Sequence, residues 1–102
     1  MKQGESILKP KIGTTVYCIY ANSISKYKVG YIGKEAFVID ELSEYMDFEA
    51  FLWWYEDFGK SWFKSLKEAK VRLLQMQSEY LPNQKVKIKK VNDDYWEVDY
   101  KN

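Results

Sequence analysis

The chain has 102 residues, 16 basic and 15 acidic, with one cysteine and no histidine. Its length fits one domain spanning residues 1–102, and 46% hydrophobic with 18% aromatic residues is ample for a core, so a disordered chain is excluded. Without histidine the most frequent general base is missing, as are histidine-dependent serine or cysteine dyads and most zinc sites.

The remaining chemistry is equally thin. A lone Cys18 forms neither an internal disulfide nor a multi-thiolate metal site, and its place in an apolar run reads as a small buried hydrophobe. The five glycines are scattered at turns, with no phosphate-binding loop pattern. The carboxylate pairs Asp40/Glu41 and Asp93/Asp94 read as turn and surface residues. The expectation is a non-enzymatic protein with no cofactor and no metal. No apolar run approaches the ~20 residues of a membrane span. Residues 1–6 have no apolar signal region behind them, and a single cysteine suits a reducing compartment, so the expected location is the cytoplasm.

Residues 1–11 are polar, contain Pro10, and read as a flexible arm. Gly13 opens a strand over Thr14–Tyr20, rich in β-branched and aromatic residues. Ala21-Asn22-Ser23 is a turn. The next strand runs from about Ile24 to Ile32, with Tyr27, Val29 and Tyr31 on one face and Lys26 and Lys28 on the other. Gly33-Lys34 reads as a two-residue turn, and Ala36–Ile39 as the third strand of a meander. Residues 40–50 are expected to form a loop with one helical turn at most.

Residues 51–63 hold three of the four tryptophans. Two aromatic runs flank Asp57-Phe58-Gly59, a pattern that predicts a β-hairpin closed by a left-handed Gly59. Its first arm is apolar on both faces, which predicts a central pair with Trp62 buried between sheet and helix. Ser65-Leu66-Lys67-Glu68 is a capping box, and Leu66, Ala69, Leu73, Met76 and Tyr80 recur at helical spacing, with Leu74 and Leu81 widening the stripe. Pro82 ends it, so a helix is predicted over about 66–80. A second hairpin closes the chain. Val86 and Ile88 alternate with Lys85, Lys87, Lys89 and Lys90; after Asn92-Asp93-Asp94, Trp96, Val98 and Tyr100 alternate with Glu97 and Asp99.

The charges are segregated. Between Glu35 and Gly59 lie eight acidic residues and no basic one, so the window is −8 and the rest +9. Glu41, Glu44, Asp47 and Glu49, interleaved with Tyr45 and Phe48, form the candidate partner-binding surface, suited to a protein with a basic surface. A competing reading uses Lys26, Lys28, Lys60, Lys64, Lys67 and Lys70 as a phosphate-tracking face for nucleic acid. Against it, Glu97 and Asp99 stand where they neutralise the tail lysines across the ladder.

Lys11-Ile12-Gly13-Thr14-Thr15-Val16-Tyr17 resembles the opening strand of SH3-like small barrels. The run Tyr55–Ala69, with Gly59-Lys60, Trp62-Phe63, Ser65 and Glu68-Ala69, resembles the closing hairpin and helix of small uncharacterised proteins common in Gram-positive bacteria and their phages. The resemblance implies a phage or mobile-element origin and a role in binding and inhibiting a host or defence protein. The fold class expected is α+β: a small, bent antiparallel sheet of SH3-like type, one helix packed across it, and a C-terminal hairpin. The leading function is protein binding; nucleic-acid binding is the alternative, and a structural or self-associating role stands third.

Overall fold

A computed structural model of the chain describes residues 9–40, 52–83 and 85–100, without the side chain of Tyr100. β1 (Thr15–Tyr20) and β2 (Ser23–Ile32) form an antiparallel pair in register from Thr15↔Lys28 to Tyr20↔Ser23. The turn between them is two residues long. Ala21 and Asn22 both have positive φ, 50° and 66°, as a turn matched to strand twist requires. The Ser23 hydroxyl donates to the Tyr20 carbonyl at 2.7 Å, which anchors the turn at its base. Upstream, Pro10 is buried, and the Lys9 ammonium lies 5.5 Å from the Tyr55 ring centroid.

β3 (Ala36–Ile39) pairs with the far half of β2, after a three-residue loop closed by the Gly33 amide donating to the Ala36 carbonyl. The predicted two-residue turn is thus one residue longer. The register shifts between Val29 and Tyr31. Gly30 sits at this bulge because a Cβ there would come within 2.7 Å of the Asp40 backbone. The extra residue reverses the alternation, so Tyr31 leaves the face of Tyr27 and Val29 and is 64% exposed.

β4 (Leu52–Trp54) pairs with β3, and β5 (Trp62–Phe63) pairs with β1. The order is therefore β4-β3-β2-β1-β5. This corrects the predicted aromatic hairpin: its two arms are the opposite ends of the sheet. A 3-10 turn, Tyr55–Asp57, carries the chain between them, and Gly59 has the expected left-handed φ of 86°. The sheet curls until its ends approach, and the Trp62 indole Nε1–H donates to the Trp54 carbonyl at 2.8 Å. A side chain, not a strand ladder, makes this closure.

Two cores result, one on each face of the β1–β2 pair. Inside the curl, Val16, Cys18, Val29, Phe37, Ile39, Trp53, Tyr55 and Trp62 pack together. Phe37 lies edge-on to Trp62 at 4.9 Å between centroids, and the Tyr55 hydroxyl donates to the Gly33 carbonyl. The second core holds Ile19, Ile24, Phe63, Ala69, Leu73, Trp96 and Val98. Trp62 is fully buried, but on the face away from the helix; Phe63, the next residue, is the one that meets the helix.

α1 (Leu66–Tyr80) has the predicted bounds. Ser65 caps it, its Oγ accepting the Glu68 amide at 3.2 Å. The buried stripe is Ala69, Leu73 and Gln77; Leu74, Tyr80 and Leu81 are exposed, against the predicted stripe. Gln77 takes the core position because the helix end overlies the β1–β2 turn, where Gln77 Nε2 donates to Asn22 Oδ1 at 2.8 Å. β6 (Val86–Asn92) and β7 (Tyr95–Tyr100) form the tail hairpin, and β7 joins the sheet along Ser23–Ser25 of β2. Val86 and Ile88 pack toward the second core. The described residues are α+β: a curled antiparallel sheet, one helix and C-terminal strands.

Candidate functional site

The acidic candidates Glu41, Glu44, Tyr45, Asp47, Phe48 and Glu49 lie outside the described residues. The strands that flank their segment in sequence, β3 and β4, are described. Across β2, β3 and β4, Tyr31, Val38 and Leu52 are successive neighbours, and Ala36 pairs with Trp54. Phe37 and Trp53, between them in sequence, lie in the core, and Val38 packs against its edge, so the exposed members of the row are Tyr31 and Trp54. Tyr31 is exposed, Trp54 is 44% exposed, and Val38 and Leu52 are half-buried. The helix makes its main contacts with β1, β2, β5 and β6, which leaves this apolar face outside its footprint.

Acids border the row. The Tyr55 amide donates to the Glu35 carbonyl at 3.0 Å, which places Glu35 and Glu56 beside Trp54. Both are exposed, as is Asp40 at the end of β3. Sequence reasoning assigned Trp54 to a covered strand and Tyr31 to a half-buried face. The signal for Tyr31 was Gly30, whose bulge turns the following residue over.

The lysines are not gathered on one face. Lys26 and Lys28 line a cleft of about 280 Å³ where β2 parts from β7 toward β3, together with Asp40 and Asp94. The backbone holds this fork, with the Lys26 amide donating to the Asp94 carbonyl and the Asp40 amide to the Lys28 carbonyl. Lys67 lines a different groove, beside Phe58 and Phe63. Lys60 and Lys64 flank β5, and Lys70 is half-buried on α1. In the tail, register places Lys87 opposite Asp99 and Lys89 opposite Glu97. Lys89 Nζ lies 3.6 Å from Glu97 Oε1, and Lys90 Nζ 3.0 Å from Asp93 Oδ1. Opposed charges at this register neutralise the hairpin's surface.

Two buried groups have shifted acidities. Burial pushes the Cys18 thiol well above its ordinary value, which makes it a poor nucleophile. Burial likewise raises the Tyr55 phenol. Among the described residues no group of three or more potential metal ligands clusters, and no helix is long and apolar enough to cross a membrane. Comparison with known proteins finds no matching family model, no similar curated protein and no similar solved structure.

Proposed function

We propose that the chain is a small protein-binding module whose acidic, aromatic face docks on a basic protein surface. The observation that carries this reading is the exposed pair Tyr31 and Trp54, with half-buried Val38 and Leu52 between them, beside Glu35 and Glu56 and leading in sequence into the acid-rich segment 41–49. Aromatic anchors on a sheet, with carboxylates beside them, supply an apolar contact and a steering field together. The strand order β4-β3-β2-β1-β5, with a 3-10 turn leading into β5, supports an SH3-like barrel, to which α1 and the tail hairpin are additions. The partner class is a nucleic-acid-handling or defence protein of a bacterial host, since surfaces that hold nucleic acid are themselves basic. On this reading the chain acts as an inhibitor carried by a phage or mobile element.

The test uses the double variant Tyr31→Ser/Trp54→Ser and the charge reversal Glu44→Lys/Asp47→Lys/Glu49→Lys. Captured proteins from a bacterial lysate are identified for the parent and both variants. Both variants are expected to melt within a few degrees of the parent and to lose the captured protein, whose association with the parent slows as salt rises. If both folded variants retain it at the parental rate, the acidic, aromatic face is not the interface.

A further inference from the structure

Glu68 and Arg72 stand four residues apart on α1, the spacing at which a carboxylate and a guanidinium pair along a helix. They do not pair. Glu68 Oε1 accepts the Ser65 hydroxyl at 3.0 Å, so the helix cap takes the acid. Arg72 has no ion pair among the described residues, and its Nε is buried without a hydrogen-bond partner. A guanidinium fork presents donors in the geometry of a carboxylate, and an orphaned one is costly to bury.

Arg72 lines a groove of about 630 Å³ between α1 and the segment 58–63, with Phe58, Phe63, Lys67, Val71 and Gln75. Phe58 and Val71 are 38% and 50% exposed. A trough lined by Val71, Leu74, Gln75, Ser78 and Glu79 continues from it along the helix. Lys67 and Arg72 line the groove with one acid, Glu68, whose carboxylate accepts the Ser65 hydroxyl, and Lys60 and Lys64 adjoin its lining residues in sequence. The groove thus joins three apolar side chains, Phe58, Phe63 and Val71, to two cations, Lys67 and Arg72, against one acid, a complement to an acidic peptide carrying aromatic or aliphatic side chains.

We propose that this groove is a second docking surface, distinct from the acidic, aromatic face, and that it takes a short acidic, aromatic segment of another protein. One carboxylate of that segment takes the Arg72 fork, and a neighbouring apolar side chain covers Phe58 and Val71. A nucleic-acid backbone fits less well. It needs an unbroken track of cations, whereas Glu68 lies between Lys67 and Arg72 and the walls are phenylalanine and valine.

The probe is a short synthetic peptide, with a sequence not found in this chain, that interleaves Asp and Glu with Leu, Tyr and Phe. It is titrated into the full-length, isotope-labelled protein, and backbone amide shifts are followed. Saturable shifts are expected at Gly59, Phe63, Lys67, Val71 and Arg72. A peptide with Asn and Gln in place of its acids should bind about tenfold more weakly or worse. Arg72→Gln should show the same loss, and so should Val71→Glu, which places a charge at an exposed position and so leaves the core intact. The proposal fails if the amides do not move, if the neutral peptide binds equally well, or if both folded variants keep parental affinity. It also fails if a single-stranded oligonucleotide displaces the peptide at equal concentration. Concentration-dependent shifts of the same amides without peptide would overturn it too, by assigning the groove to a second copy of the chain.

Discussion

Replacing Trp62 by Phe tests how the sheet is closed. Trp62 is fully buried, and its indole nitrogen supplies the hydrogen bond joining β5 to the far edge of the sheet at Trp54. Phenylalanine keeps a ring against Phe37 but cannot donate. The Trp54 carbonyl then loses its partner, at a cost of about 1–3 kcal/mol. The smaller ring leaves a void equivalent to one or two methylene groups, at about 1 kcal/mol. Together these predict a destabilisation of about 2–4 kcal/mol, which for a domain of this size lowers the melting midpoint by roughly 8–30 °C. Urea unfolding followed by circular dichroism measures it. Native-state hydrogen exchange locates it: amides of β4 and β5 should lose protection before those of α1. Phe63→Ala should do the reverse and expose α1 first, because Phe63 lies under the helix. A Trp62→Phe variant within about 0.5 kcal/mol of the parent, the range of ordinary surface changes, would refute closure through the indole.

The contact between helix and turn predicts coupling between distant residues. In a double-mutant cycle of Asn22→Gly and Gln77→Ala, the coupling energy should exceed about 0.5 kcal/mol. Additive effects would mean that the 2.8 Å hydrogen bond contributes nothing. The raised acidities of Cys18 and Tyr55 mean that the folded state holds both protons longer than the unfolded state does. Their stabilisation is whole below the unfolded values of about 8.5 and 10 and falls above each by about 1.4 kcal/mol per pH unit. Between pH 8.5 and 10 the parent should lose about 2 kcal/mol more than Cys18→Ala does; equal losses in urea titrations would sink the assignment. Nucleic acid should bind weakly and without sequence preference, with affinity falling as salt rises. Sub-micromolar affinity for any duplex or single strand at physiological salt would restore the lysine-face reading.

The elements legible in the sequence are those decided locally. The capping box at Ser65 and Pro82 bound α1, and the alternation in 85–100 defines the tail hairpin, because each signal lies within a few residues of what it controls. The aromatic stretch misled for the converse reason. Gly59 does turn left-handed, yet the arms on either side pair with β3 and β1, partners far away in sequence. Nothing in residues 51–63 distinguishes a hairpin from two sheet edges brought together by curling. A strand apolar on both faces fits either, since Trp53 points into the curl while Trp54 stands outside. The helix stripe failed at Tyr80 because apolar periodicity says nothing of what lies opposite; there it is a polar turn, and Gln77 satisfies it.

Charge is where the linear reading needed the fold most. The tail contributes four lysines and four acids over residues 85–100, and the register sets Lys87 and Lys89 against Asp99 and Glu97. Its apparent basicity is thereby cancelled. Lys26 and Lys28 share their cleft with Asp40 and Asp94, so they make no basic field of their own. The basic excess that remains is concentrated between Lys60 and Arg72, where five basic residues face one acid, and that acid is engaged by Ser65. This excess borders phenylalanine and valine. Glu35 and Glu56 stand beside Trp54 on the outer side of β3 and β4. A field of either sign falls off within about 8–10 Å at physiological salt. Salt should therefore weaken association at both surfaces, whereas a charge reversal at one should leave the other's affinity unchanged. Reversing Glu44, Asp47 and Glu49 should abolish capture of the basic partner without altering peptide binding at Arg72, and Val71→Glu should do the opposite. Loss of both activities in either folded variant would mean that the two surfaces are one.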